Sequence, residues 1–241
     1  MSAPLELRGV SRSYGGGPTR VDALVDVDVA VEVGELVVIM GPSGSGKTTL
    51  LSIAGTLEAA TAGEVLIDGR AVAGMSASDR ARLRRRSVGY VFQAFNLLAG
   101  LTAVENVALP LELDGIRAGR AHRSAREALD GLGLGGRAGH YPDQLSGGEA
   151  QRVAIARAIV GERRLVLADE PTGALDSVNG ESVMQMLRGA CRRGVAGVVV
   201  THDAQLASWA DRVVFMRDGR IVDRTPPRRG PESLLEPSDQ P

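Results

Sequence analysis

Gly41-Pro42-Ser43-Gly44-Ser45-Gly46-Lys47-Thr48 lies between a short apolar block, Leu36 to Met40, and a segment of helical character, Thr48 to Leu57. The spacing is glycine, four residues, glycine, lysine and a hydroxyl residue. A strand before it and a helix after it are the setting in which such a loop grips nucleotide phosphates. Glycines let successive backbone N–H groups turn inward as an anion nest, and the helix that follows aims the positive end of its dipole at the same point. Lys47 would supply a compact charge at the β and γ phosphates, and the Thr48 hydroxyl, with Thr49 beside it, is placed to hold Mg²⁺. Of the 28 Lys and Arg residues only Lys47 is a lysine. A planar, larger guanidinium is expected to fit poorly inside a loop wrapped around phosphate oxygens.

Outward from this loop, Leu36 to Met40, Val88 to Phe92, Leu165 to Ala168 and Gly197 to Val200 are apolar without alternation. That is the pattern of parallel strands covered on both faces. Helical segments fall between them: Asp79 to Arg86, Arg120 to Leu132, Ala150 to Val160 and Ser177 to Arg192. Strands alternating with helices predict an α/β core with right-handed crossovers. Nearer the start, Val25, Val27, Val29, Val31 and Val33 alternate with polar or small residues, which predicts an N-terminal antiparallel sheet with one buried face. From about 94 to 160 strand blocks vanish, so a helical lobe is expected there. Asp218-Gly219, between Val213 to Arg217 and Arg220 to Asp223, is a hairpin signal. The residues from 224 to 241, rich in Pro, Arg, Gly and Ser, are expected to form a flexible tail to a single domain spanning 1 to 223.

Leu165 to Ala168 is followed by Asp169-Glu170, two carboxylates closing an apolar strand. Strand ends are where open α/β sheets bind ligands. Asp169 is the candidate to hold Mg²⁺ through its water shell, and Glu170 the candidate to polarise the attacking water.

Phosphate loops serve many functions, so the loop alone names none. Leu145-Ser146-Gly147-Gly148-Glu149, continuing through Ala150-Gln151-Arg152-Val153-Ala154-Ile155-Ala156-Arg157-Ala158, resembles the signature segment of ABC ATPases. The resemblance covers roughly residues 5 to 223 and implies a RecA-like phosphate-loop core with an inserted helical subdomain. It also implies a site shared by two subunits, with Ser146, Gly147, Gly148 and Glu149 facing the γ phosphate held by the other copy. Tyr14 resembles the aromatic that stacks on adenine, and Gln93, after Gly89-Tyr90-Val91-Phe92, the glutamine that reaches Mg²⁺ from the hinge into the helical lobe. Asp176 resembles the aspartate that crosses the dimer interface, and His202, after Val198-Val199-Val200-Thr201, the switch histidine at the γ phosphate. Each also has a purely structural reading: a surface aromatic, helix caps for Gln93 and Asp176, a satisfied histidine at a strand end. Their joint order favours the functional ones. Glu149 stands where many members carry glutamine.

Gln93 to Leu98 with Leu101 to Val107 is similar to the branch that holds macrolide exporters and lipoprotein-release ATPases. That likeness implies ATP and Mg²⁺ as cofactors, a homodimer in the ATP state, and a separate permease of the FtsX type.

The 241 residues are 44% hydrophobic and 24% charged, which suits a folded soluble domain. A formal charge of −1 gives no global case for binding nucleic acid or a membrane surface. The arginines at 80, 82, 84, 85 and 86 lack interleaved aromatics and read as a solvated helix face. No apolar stretch approaches the ~20 residues of a membrane span, and the start lacks the pattern of a secretory signal. The expected place is therefore the cytoplasmic face of a membrane, reached only through the permease. A chromosome-type ATPase would separate the loop from the signature by long coiled coil, a translation-type member would carry two cassettes, and a small-molecule kinase would leave the signature and His202 unexplained.

Overall fold

The four apolar blocks form adjacent strands of one sheet. The computed structural model describes residues 2–173 and 177–225, so Asp176 and nearly all of the expected tail lie outside the described residues. The strands are β1 (Leu5–Tyr14), β2 (Val21–Val31), β3 (Leu36–Met40), β4 (Ala62–Ile67), β5 (Arg70–Ala71), β6 (Val88–Val91), β7 (Leu165–Asp169), β8 (Ala196–Val200), β9 (Arg212–Arg217) and β10 (Arg220–Arg224). The helices are α1 (Lys47–Ala54), α2 (Ala77–Ser87), α3 (Ala103–Leu113), α4 (Ala118–Asp130), α5 (Gly147–Ile159), α6 (Ser177–Arg192) and α7 (Ala204–Ala207).

The larger sheet has the order β10-β9-β3-β8-β7-β6, parallel from β9 to β6 with β10 returning antiparallel on β9. All five residues of β3 and of β8 are buried, as strands covered on both faces require. The smaller sheet is antiparallel, in the order β2-β1-β4-β5. This is the α/β phosphate-loop architecture with an added antiparallel sheet.

The alternation expected across Val25 to Val33 breaks at its start. Asp26 has φ 50°, and the pairing of β1 with β2 shifts register between Leu7 and Ser13. Such an irregularity swaps the buried parity, so Leu24, Val27, Val29 and Val31 are buried while Val25 is not. Val33 lies past the strand and is exposed.

Three apolar clusters hold these layers together. One fills the space between the antiparallel sheet, α1 and one face of the parallel sheet; a second packs α6 and part of α5 on the other face. The third lies among α3, α4 and α5. Helix α5 belongs to two of them, giving Ile155 and Ala158 to the parallel sheet and Val153 and Ala156 to its helical neighbours, where Val160, just past its end, also packs. Its contact with β6 is close: a Cβ at Gly89 would lie 1.8 Å from the Ala158 carbonyl oxygen. Helix α3 forms in spite of Pro110, because Thr102 and Glu105 cap its start reciprocally and the proline falls in the last turn. Burial pushes the Cys191 thiol up to about 12, leaving it an inert core residue.

Arg84 and Arg85 depart from the expected solvated face. Both are half-buried, and Arg84 donates to the Thr56 carbonyl at 2.9 Å.

Candidate active site

Because β3, β8, β7 and β6 are parallel neighbours, their carboxyl ends meet along one edge. The phosphate loop follows β3, Thr201-His202 follows β8, Glu170 follows β7 and Gln93 follows β6. A cleft of about 870 Å³ opens there, lined by Ser43, Gly44, Gly46, Lys47, Thr48, Thr49, Gln93, Glu170 and His202.

The loop conformation demands its glycines. Gly46 has φ 96°, and a Cβ there would lie 2.3 Å from the Ala23 carbonyl oxygen; one at Gly41 would lie 2.2 Å from that of Met216. The start of β2 and the β9–β10 hairpin thus brace the loop from outside, and Gly219 N–H donates to the Ser45 carbonyl at 3.1 Å. Lys47 is 8% exposed, and its ammonium donates to the Gly41 and Pro42 carbonyls at 2.8 and 2.9 Å. The Ser45 Oγ is buried in the same loop with no hydrogen-bond partner among the described residues. A buried cation and an unsatisfied hydroxyl in one loop at the start of a helix suit an anion.

Thr48 Oγ1 lies 3.4 Å from Asp169 Oδ1, and burial pushes the Asp169 carboxyl above its usual range. Hydroxyl and carboxylate oxygens fit Mg²⁺, which binds through one or two carboxylates plus substrate phosphates and water. Gln93 lines the same cleft but makes no hydrogen bond to Thr48 or Asp169 among the described residues.

Glu170 has φ 43°, a strained conformation for a residue with a Cβ. Its backbone N–H donates to the Val200 carbonyl at 2.9 Å. One carboxylate oxygen accepts from the Thr201 hydroxyl at 3.2 Å, and the other lies 2.8 Å from His202 Nδ1. That contact with the carboxylate raises the His202 imidazole above its ordinary value. Gln151, fully buried on α5, donates from Nε2 to the Pro171 carbonyl at 2.6 Å, one residue past Glu170.

Tyr14 sits at the end of β1, outside the residues lining the cleft but paired with Val21, which lines it. Its hydroxyl donates to Glu58 Oε2 at 2.5 Å, and the Arg12 guanidinium covers the ring at 4.5 Å from the centroid. Ser146, Gly147, Gly148 and Glu149 are likewise absent from the cleft lining. Ser146 is the N-cap of α5 and Glu149 completes a capping box with it.

Sequence reasoning missed the outer wall: Val21, Asp22 and Ala23 on one side and Asp218 and Gly219 on the other. Asp218-Gly219 carried only a turn signal, and nothing local ties either segment to the loop.

A glycine-rich loop between strand and helix, facing strand-end carboxylates across a cleft, defines a phosphate-loop nucleoside triphosphatase. Within that class, the pattern of the family described as ABC transporter matches residues 24–173, and the chain belongs to that family. It is 45% identical over 219 residues to an uncharacterized ABC transporter ATP-binding protein of Methanocaldococcus jannaschii, covering 91% of this chain and 98% of that protein. It is 48% identical over 221 residues to a macrolide export ATP-binding/permease protein, MacB 1/2, of Paracoccus denitrificans, where 91% of this chain covers 33% of the relative. The chain therefore spans about a third of the fused relative. Among solved structures it resembles the dimeric ABC transporter cassette MJ0796, with TM-score 0.85 and 41% identity over 93% of this chain and 99% of that one. A post-hydrolysis form of the same cassette, bound to ADP and Pi, superposes with TM-score 0.86. The chain is an ATP-binding, ATP-hydrolysing cassette.

Proposed function

We propose that two copies of this chain meet head to tail around two ATP molecules and drive a separate membrane permease of the FtsX type. One observation carries the reading: the phosphate loop, Glu170 and His202 share one cleft, whereas Ser146 to Glu149 lie outside it. An anion nest that its own cleft does not use is explained by the cleft of a second copy. The dimeric state of the related cassette supports this arrangement.

In this reading Gly41 to Thr49 cradle the phosphates, with Lys47 at the β and γ groups and Tyr14 against the base. Thr48, Asp169 and Gln93 would hold Mg²⁺, which would supply positive charge to offset that of the phosphate oxygens. Glu170 takes a proton from the attacking water, and His202, oriented through Nδ1, offers its other nitrogen to the γ phosphate. Ser146, Gly147 and Gly148 approach that phosphate from the partner copy, with Glu149 capping their helix and Asp176 crossing the interface. Cleavage to diphosphate and phosphate removes the linked group that both copies grip, so the pair opens.

Among the described residues no helix is long and apolar enough to cross a membrane. The permease is expected to dock beside the helical segment. There Tyr90 and Phe92 stack at 4.3 Å, and with Leu109 and Leu113 they line an open groove. Fusion to a permease in the macrolide export relatives supports a membrane partner, and the chain would sit on the cytoplasmic face through it. The transporter names of the relatives weigh against work on chromosomes or ribosomes.

The test is phosphate release by the purified chain. Lys47→Ala and Glu170→Gln are each expected to lower turnover about 10²- to 10⁴-fold. Normal turnover by Glu170→Gln would refute its role as the base.

A further inference from the structure

The N-terminal turn of α5 carries a carboxylate in a position where an incoming phosphate is expected. Glu149 Oε2 accepts from the Ser146 backbone N–H at 2.8 Å, while the Ser146 hydroxyl accepts from the Glu149 N–H at 3.3 Å. This reciprocal cap suits the helix. It also places a negative charge beside the donors that the composite-site reading assigns to a triphosphate. Like charges a few ångströms apart repel, and more strongly as an interface closes and water leaves.

The same carboxylate has a second partner. Arg137 donates from Nε to Glu149 Oε1 at 2.8 Å, and its Nη1 lies 3.3 Å from His140 Nε2. The backbone holding Arg137 is tied to the start of α3: the Ala103 N–H donates to the His140 carbonyl at 2.8 Å and the Val104 N–H to the Ala138 carbonyl at 2.9 Å. The guanidinium is therefore delivered from the connection between α4 and α5, braced on the start of α3, to the first turn of α5. Glu149 is the less exposed partner, at 17% against 49% for Arg137.

We propose that Arg137 is a positioning residue for ATP-driven pairing of two copies: it neutralises Glu149 and fixes the Ser146 turn, so that the turn can receive the partner's γ phosphate. The inference rests on the composite-site reading of Ser146 to Gly148. It explains how the chain accommodates an acid in the turn that the composite-site reading turns toward a triphosphate. With glutamine at 149 there is no charge to compensate, and Arg137 becomes dispensable. A merely structural arginine would matter equally in both backgrounds.

The experiment measures the dissociation constant of the Glu170→Gln chain in Mg²⁺ and ATP by sedimentation equilibrium. Four proteins are compared in that background: the parent, Arg137→Ala, Glu149→Gln, and the Arg137→Ala/Glu149→Gln double variant. Arg137→Ala is expected to weaken the dimer about 10-fold, the effect of one uncompensated charge at short range. In the Glu149→Gln background the same change is expected to alter the constant less than about 2-fold. Arg137→Lys, which keeps the charge, is expected to recover most of the loss and guards against a folding defect. Equal weakening by Arg137→Ala in both backgrounds, or none in either, would overturn the inference while leaving the composite site intact. A parent that stays monomeric with ATP would overturn the composite-site reading, and the inference with it.

Discussion

His202 Nδ1 and Glu170 Oε1 lie 2.8 Å apart, at the ends of two strands that are neighbours in the parallel sheet. The carboxylate thereby has both oxygens engaged, one by His202 and one by the Thr201 hydroxyl. A carboxylate held in this way has a fixed direction, which its proposed role as the base requires. His202→Ala is expected to lower kcat about 10²-fold or more, with ATP affinity of the Glu170→Gln/His202→Ala chain within about 3-fold of Glu170→Gln alone. Fluorescent-nucleotide titration beside phosphate release checks this; loss of binding in step with kcat would contradict it.

The ammonium of Lys47 is enclosed by the loop it serves, accepted by two carbonyls of that loop. A guanidinium is longer and planar, and cannot turn inside the same ring. Lys47→Arg is therefore expected to lose ATP binding as fully as Lys47→Ala. Retention of near-normal affinity by Lys47→Arg would show that charge alone suffices.

Gln151 joins two parts of one subunit that the sequence keeps 20 residues apart, since its amide holds the Pro171 carbonyl beside Glu170. Gln151→Leu removes that donor without changing the helix face. Stability is expected to fall by about 1–3 kcal/mol from the unsatisfied carbonyl. Turnover is expected to fall about 10- to 100-fold through misplacement of Glu170, with ATP affinity nearly unchanged. Thermal melting and steady-state kinetics separate the two effects, and a drop in stability without any drop in kcat would refute the positioning role.

The legible part of this molecule was the part encoded locally. The apolar blocks at Leu36, Val88, Leu165 and Gly197 each became a strand of the parallel sheet, because burial on both faces leaves a signature within the segment itself. The phosphate loop was legible for the same reason. What escaped depends on partners distant in sequence or on interrupted patterns. Strand β1 shifts register against both neighbours, which erases its alternation, and α3 contains Pro110. The half-buried Arg84 and Arg85 read as surface because nothing nearby announces the Thr56 carbonyl that takes one of them. In the candidate site, the bonds of Tyr14 to Glu58 and of Arg137 to Glu149 join segments that only the fold brings together.

Glu149 gives the fold a pH dependence of defined sign. The Ser146 N–H, the Ser146 hydroxyl and the Arg137 guanidinium together lower its carboxyl from 4.5 to about 2. A carboxyl lowered on folding contributes stability above its unfolded value and loses it as pH falls toward its folded one. The melting temperature of the natural chain is thus expected to exceed that of Glu149→Gln by a constant margin above pH ~5 and to converge with it between about 4.5 and 2. A margin that stays constant through that window, or widens, would contradict the assigned cap.

In the proposed dimer each ATP site is completed by two copies, the loop from Gly41 to Thr48 in one and the turn at Ser146 in the other. The most direct measurement is the solution mass of the Glu170→Gln chain by sedimentation, with Mg²⁺ and ATP, with Mg²⁺ and ADP, and with Ser146→Arg added. The account predicts twice the chain mass with ATP, the single chain mass with ADP, and the single chain mass with ATP once Ser146 is replaced. A single chain mass in all three, or a dimer indifferent to nucleotide and to Ser146→Arg, would contradict it.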